Sequence, residues 1–187
     1  PGMGGIRLTQ SISAFGQTGP FAPRPGFAAV AEAAGGFREL VGEPGRAPSR
    51  TGVSIGDTIA GLYGAFGAVM ALLERETTRA ARGEAHVAID RRTIDVALNE
   101  AMLSVTESLV PEWSAYGVRR ERTGGRMEGI APSNAYLCAD GRSIVVAGNG
   151  DGIYQRYMRA IGRPDLADDP ALQSNDGREQ LLRRHQA

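Results

Sequence analysis

The chain has 187 residues, 42% hydrophobic and 22% charged, with 21 basic residues balanced by 21 acidic ones. That profile fits a globular chain with a core, and zero net charge offers no electrostatic footprint for nucleic acid or an anionic membrane. Every basic residue is arginine, which excludes a Schiff-base or P-loop lysine within this stretch; one cysteine, Cys138, and two histidines, His86 and His185, argue against disulfide, zinc and His-rich metal chemistry.

From Ile6 to Phe15, β-branched residues and loose alternation predict a strand, closed by the turn cluster Gly16-Gln17-Thr18-Gly19-Pro20. Phe27 to Ala34 reads as a short helix stopped by Gly35-Gly36. A Pro/Gly loop, Glu43 to Arg50, leads to a brief strand at Gly52–Ile55 and then a long helix that carries no charge from Thr58 to Leu73. Large apolar residues at 59, 62, 63, 66, 70 and 73 recur at helical spacing, and Gly or Ala at 61, 64, 68 and 71 would let another backbone come close. Such a helix is expected to be packed on both faces. Arg75 to Arg82 reads as a charged, exposed connection.

His86–Asp90 predicts a strand, and Thr93–Leu98 a run passing into a helix to about Val110, followed by a linker from Pro111 to Arg126. Asn134–Cys138 and Ser143–Ala147 flank Ala139-Asp140-Gly141-Arg142, a hairpin signal. Gly148-Asn149-Gly150-Asp151-Gly152 then opens a helix over Ile153–Ile161, and a polar helix near Gly177–His185 ends the chain. Tested as a dinucleotide fingerprint, that glycine cluster puts Ile153 where the third glycine belongs and lacks a surrounding βαβ unit, so turn chemistry is the better reading. The start, Pro1-Gly2-Met3-Gly4-Gly5, has no basic or apolar leader pattern; the uncharged run is short for a membrane span and carries Gly61, Gly64 and Gly67. A cytoplasmic protein without a membrane partner is expected.

Asp57 stands at the head of the uncharged run, and two compatible readings apply to it. Aspartate is a preferred helix N-cap. A carboxylate at a helix start also faces unpaired N–H groups and the positive end of the dipole, which keep it ionised and oriented. Local sequence leaves the choice open.

The order of motifs resembles the class III CoA-transferases, the family that includes the carnitine/bile-acid acyl-CoA transferases and α-methylacyl-CoA racemase. The resemblance rests on Ser11-Ile12-Ser13-Ala14-Phe15-Gly16-Gln17-Thr18-Gly19-Pro20, Arg24-Pro25-Gly26-Phe27 and Gly56-Asp57-Thr58-Ile59-Ala60-Gly61. It continues through Gly129-Ile130-Ala131-Pro132-Ser133-Asn134-Ala135-Tyr136, Ala139-Asp140-Gly141 and Ile161 to Pro170. It implies an α/β fold, with residues 1–115 part of a Rossmann-like large domain and 116–187 a linker and the beginning of a small α+β domain.

By the same resemblance, Asp57 corresponds to a nucleophilic carboxylate that attacks an acyl-CoA thioester, and CoA passes to an acceptor acid through a covalent aspartyl intermediate. Coenzyme A thioester enters as substrate, and no prosthetic group or metal is implied. Gly124 to Ala131 lies where the family carries a glycine-bearing loop with donors for the oxyanion; Gly129 is the candidate there, a plain turn glycine being the alternative. The racemase branch has a histidine where this chain has Phe27, which disfavours the racemase or epimerase alternative. Phe27 is a candidate wall of the acyl pocket, or else a core residue. Ile89-Asp90-Arg91-Arg92-Thr93 is more charged than the family pattern. Family members are longer and form interlocked homodimers, so the resemblance also implies a chain that begins mid-domain and, alone, could be an inactive fragment with an interaction role.

Overall fold

The computed structural model describes residues 8–82 and 92–186. The chain has an α/β fold and divides into two compact units, one running to Val41 and from Pro48 to Glu121, the other formed by Gly42–Ala47 and the chain from Arg122. The strand expected at His86–Asp90 lies outside the described residues.

In the first unit β1 (Leu8–Ser13) pairs in parallel with β2 (Arg92–Ala97), from Leu8 opposite Arg92 to Ser13 opposite Ala97. Parallel neighbours need a crossover, and α1 (Ala28–Ala34) and α2 (Ile55–Arg82) lie on it. After β2 the chain passes directly into α3 (Leu98–Ser104) and then α4 (Leu109–Tyr116). Ala31, Ala60, Val96, Leu98 and Ala101 form the core, with Ile59 and Ile94 packed against it. The Gly35-Gly36 stop of α1 has a packing reason, because a Cβ on Gly35 would lie 2.6 Å from the Asn99 carbonyl oxygen at the start of α3. Buried Glu32 is compensated by Arg38, whose Nε donates at 3.0 Å.

Apart from Ile59, the large apolar stripe of α2 does not face this core. Gly56, Ala60, Gly64 and Ala71 are buried and Gly67 half-buried, whereas Leu62, Tyr63, Phe66, Val69, Met70 and Leu73 are exposed. Inward glycines bring the helix axis close to the sheet: a Cβ on Gly64 would fall 1.8 Å from Gln10 Nε2, and one on Gly67 would fall 2.8 Å from Ile94 Cγ2. At that separation large side chains have no room beneath the helix. Gly61, expected on the close-approach side, has nothing within 4 Å of its Cβ position.

Three expected boundaries are also corrected. Gly52–Ile55 forms no strand, since the Ser54 carbonyl accepts the Thr58 N–H at 3.1 Å and hydroxyl at 3.0 Å, placing Ile55 in the helix. Arg75–Arg82 continues α2, as its Arg, Glu and Ala content favours, with the Thr77 hydroxyl donating back to the Leu73 carbonyl at 3.1 Å. The helix expected to reach Val110 breaks after Ser104, and Glu107 takes a left-handed φ of 57°. Pro111 then falls in the first turn of α4, where its missing N–H costs no helical bond, so Leu109–Tyr116 is helix rather than linker. Arg120 straps this helix, donating to Glu112 through Nε at 2.7 Å and Nη2 at 2.5 Å. That guanidinium, and then the Ser108 hydroxyl, hold the Glu112 carboxyl down at about 2.

In the second unit β3 (Ser133–Leu137) and β4 (Ser143–Ala147) form the expected antiparallel hairpin. Its turn is fixed by Asp140, which accepts the Arg142 N–H at 3.0 Å, and by Gly141 at φ 80°. The helices α5 (Asp151–Ala160), α6 (Pro164–Ala167) and α7 (Asn175–Gln186) follow. Tyr154 and Met158, one turn apart on α5, meet Ala167 and Leu172 in this unit's core.

Candidate active site

Asp57 is the third residue of α2, inside the first turn rather than at the cap. It is exposed, and its carboxylate has no hydrogen bond or ion pair among the described residues. The expected burial at this helix start is met only by its neighbour Gly56, which packs against Met102 and Ala28. Asp57 therefore sits in the field of the helix N-terminus without being consumed by a structural contact.

Its location follows from the packing of α2. Gly67 lies over Ile94, Gly64 over Gln10 and Ile12, and Gly56 beside Ala28 and Met102, which come after the strands end. The helix thus runs antiparallel to β1 and β2, and its first turn is at their carboxyl ends. In open α/β sheets that edge is where ligands bind, because helix N-termini and the loops leaving the strands converge there.

Phe27 is close to the same place. It precedes the first turn of α1 in extended conformation, and the residue after it, Ala28, touches the residue before Asp57: a Cβ on Gly56 would lie 3.3 Å from Ala28 Cβ. Tertiary folding thus brings two sequence candidates from separate helices to one edge of the first unit. Phe27 is 87% exposed, so the core reading of this residue does not hold in the chain.

Sequence reasoning missed a pin at the same edge. The Gln17 N–H donates to Asp95 Oδ2 at 2.7 Å, holding the turn after β1 against the end of β2. Gly16, at φ 80°, lies beneath it, and a Cβ there would be 3.4 Å from that same oxygen. The available signal was an acidic residue inside the otherwise apolar run Ile94-Asp95-Val96-Ala97.

Gly129 belongs to the second unit. Its φ of 74° is left-handed, the region glycine enters without strain, although a Cβ would meet nothing within 4 Å. With Asp176, Glu179 and Gln180 it lines a cavity of about 340 Å³. The loop is tied at its start, where the Gly124 N–H donates to the Gly42 carbonyl at 3.0 Å, and at its middle, where the Met127 N–H donates to the Ser133 carbonyl at 3.0 Å. Among the described residues no cluster of His, Cys, Asp and Glu is arranged to hold a metal ion.

A parallel β–α–β layer with a free carboxylate at the carboxyl edge of its strands, followed by a unit with a glycine loop, has counterparts among known proteins. The family model for CoA-transferase family III matches residues 8–186, and the chain belongs to that family. It is 40% identical over 167 residues to a succinyl-CoA–D-citramalate CoA-transferase of Chloroflexus aurantiacus, covering 89% of this chain and 39% of that protein. It is 32% identical over 169 residues to an acetyl-CoA:oxalate CoA-transferase of Acetobacter aceti, covering 90% and 41%. Among solved structures, a CaiB/BaiF family protein from Brucella suis superposes with a TM-score of 0.72 at 30% identity, covering 95% of this chain and 44% of that one. The chain thus spans about two fifths of the length of the curated relatives it matches.

Proposed function

We propose that this chain is the nucleophile-bearing portion of an enzyme that transfers coenzyme A from an acyl-CoA to a small carboxylic acid. The observation carrying this reading is the exposed, unpaired Asp57 carboxylate in the first turn of α2, at the carboxyl edge of the parallel strands. A carboxylate is a weak nucleophile, and holding it oriented and ionised near a helix N-terminus is what the reaction asks of the protein. The relatives' names pair succinyl-CoA with citramalate, malate or mesaconate, acetyl-CoA with oxalate, and succinate with glutarate, which supports a dicarboxylate acceptor.

In the proposed sequence an Asp57 oxygen attacks the thioester carbonyl, the C–S bond breaks, and an aspartyl–acyl anhydride forms with release of CoA thiolate. The thiolate attacks the aspartyl carbonyl, expelling the donor's carboxylate and leaving an aspartyl-CoA thioester. The acceptor carboxylate attacks that thioester, making a second anhydride and thiolate. Attack of thiolate on the acceptor's acyl carbon gives the new acyl-CoA and regenerates Asp57. Each tetrahedral intermediate carries an oxyanion that needs fixed donors. Gly129 is the proposed source of one such backbone N–H, and Phe27 the proposed apolar wall for the acyl chain. The complete protein is proposed to act as an interlocked homodimer; the uncovered apolar face of α2 supports burial by further chain.

Asp57→Asn in the complete protein tests the central claim, because asparagine has the shape of aspartate without its nucleophilic charge. Loss of transfer by about a thousandfold or more, with unchanged thermal midpoint, is expected. Hydroxylamine added with acyl-CoA should convert Asp57 to a hydroxamate detectable by mass spectrometry. Retained turnover in the variant would remove the nucleophile assignment and leave Asp57 a helix-start residue only.

A further inference from the structure

The loop that carries Gly129 is gripped by one face of α7. Arg126 Nη1 donates to Glu179 Oε2 at 3.0 Å. Five residues later, Ala131 is held through both backbone groups: its N–H donates to Asn175 Oδ1 at 3.3 Å, and its carbonyl accepts from Arg178 Nε at 2.7 Å. Residues 175, 178 and 179 share a helix face by their spacing, so the grip has a rigid base. Between the anchors Met127, Glu128 and Gly129 are exposed.

The gripping side chains are unusually committed. Arg178 is 3% exposed, donates also to the Leu172 carbonyl at 2.9 Å, to Asp151 at 2.9 Å and to Asn175 at 2.7 Å, and lies 4.6 Å from the centre of the Tyr154 ring. Glu179 is 6% exposed; its second oxygen, Oε1, is buried with no hydrogen-bond partner among the described residues. A half-satisfied buried carboxylate is a costly way to stabilise a helix, since well-packed apolar residues do as well or better. Fixing geometry is the role for which such a pair is suited.

We propose that Asn175, Arg178 and Glu179 are positioning residues that clamp the loop at Arg126 and Ala131, so that its tip from Met127 to Gly129 holds one backbone conformation. The consequence for catalysis rests on the reading of Gly129 as an oxyanion donor: a backbone N–H stabilises developing charge only when it is oriented before the reaction begins. The clamp acts through the loop and not on substrate.

The test compares Arg126→Glu, Glu179→Arg and the reversed pair carrying both, in the complete protein. Each single variant is expected to lower kcat by about tenfold or more, with KM for the acyl-CoA donor held within about twofold, as for a lost transition-state contact. Amide hydrogen exchange across Met127–Ile130 should accelerate by about tenfold or more in the singles, and the reversed pair should recover most of both losses. Native exchange rates in the single variants would overturn the clamp, as would a kcat loss that persists when the reversed pair restores exchange. If the reversed pair does not fold, Glu179→Gln is read on the same two measurements with the same criteria. Exchange requires no turnover, so a failure of the Asp57 chemistry and a failure of the clamp give different results.

Discussion

In the first unit, α2 carries Gly56, Ala60, Gly64, Gly67 and Ala71 on its inward face and leaves Leu62, Phe66, Val69, Met70 and Leu73 uncovered; in the second, α5 buries Tyr154 and Met158. Both helices repeat their apolar residues at helical spacing. The difference lies in what each meets. Helix α5 packs on other side chains, with space for an aromatic ring, whereas at Gly64 and Gly67 α2 lies so close to β1 and β2 that even a Cβ is crowded. Apolar periodicity therefore identifies a helix but does not say which of two low-polarity faces turns inward. The apolar span Ile55–Thr78 is also long enough for a membrane crossing by length and composition. Its small-residue ridge packed on a parallel sheet is the arrangement of a layer in an α/β protein.

The comparison can be broken most forcefully at Gly177, in the first turn of α7. A Cβ there would lie 1.7 Å from the Ala171 carbonyl oxygen, a backbone atom that cannot swing away. Gly177→Ala is expected to cost about 3 kcal/mol or more by denaturant unfolding, and a cost below about 1 kcal/mol would show that this helix start can shift.

Next in size is Gly67→Ala on the inward ridge of α2. Its Cβ would press on the branched Ile94 side chain at 2.8 Å, and a loss of about 1–3 kcal/mol is expected. Gly64→Ala meets chiefly the flexible end of Gln10, so it should be milder despite the shorter distance. If the two rank the other way, the helix is not seated against Ile94 as described.

A smaller effect is expected from acid. The folded Glu112 carboxyl is held at about 2, below its ordinary 4.5, so its contribution is fully present above about pH 4.5 and is lost as pH falls toward 2. Glu112→Gln should flatten that part of the stability–pH curve, measured by thermal midpoint; an unchanged slope would mean that the Arg120 strap does not persist in solution.

The smallest change is expected at Phe66, the neighbour of Gly67 on the opposite face and 65% exposed. In this chain Phe66→Ser should alter stability by no more than about 0.5 kcal/mol. A loss above about 2 kcal/mol would show that the outer face of α2 is covered already, reversing the contrast between the two faces.

Local chemistry made much of the fold legible. The hairpin around Asp140-Gly141, the Gly35-Gly36 stop of α1, the helix after Gly150 and a helix start near Asp57 follow from turn residues, caps and periodicity, interactions among near neighbours in the chain. The continuation of α2 through Arg82 and the placing of Pro111 within a helix were not legible, because charged and Pro-containing stretches suit an exposed connection as well as an exposed helix.

Asp57 could be singled out from sequence as a lone carboxylate heading an uncharged helix. That it is unpaired, placed at the carboxyl edge of a parallel sheet and neighbour to the Phe27–Ala28 step depends on contacts across long stretches of chain. The Asp95–Gln17 pin and the grip of α7 on Ala131 are of the same kind. Sequence by itself determined where elements begin and turn, since those preferences are carried by adjacent residues. Tertiary structure alone decided which face is inward and which carboxylate is left free, since both depend on the surfaces that distant segments present.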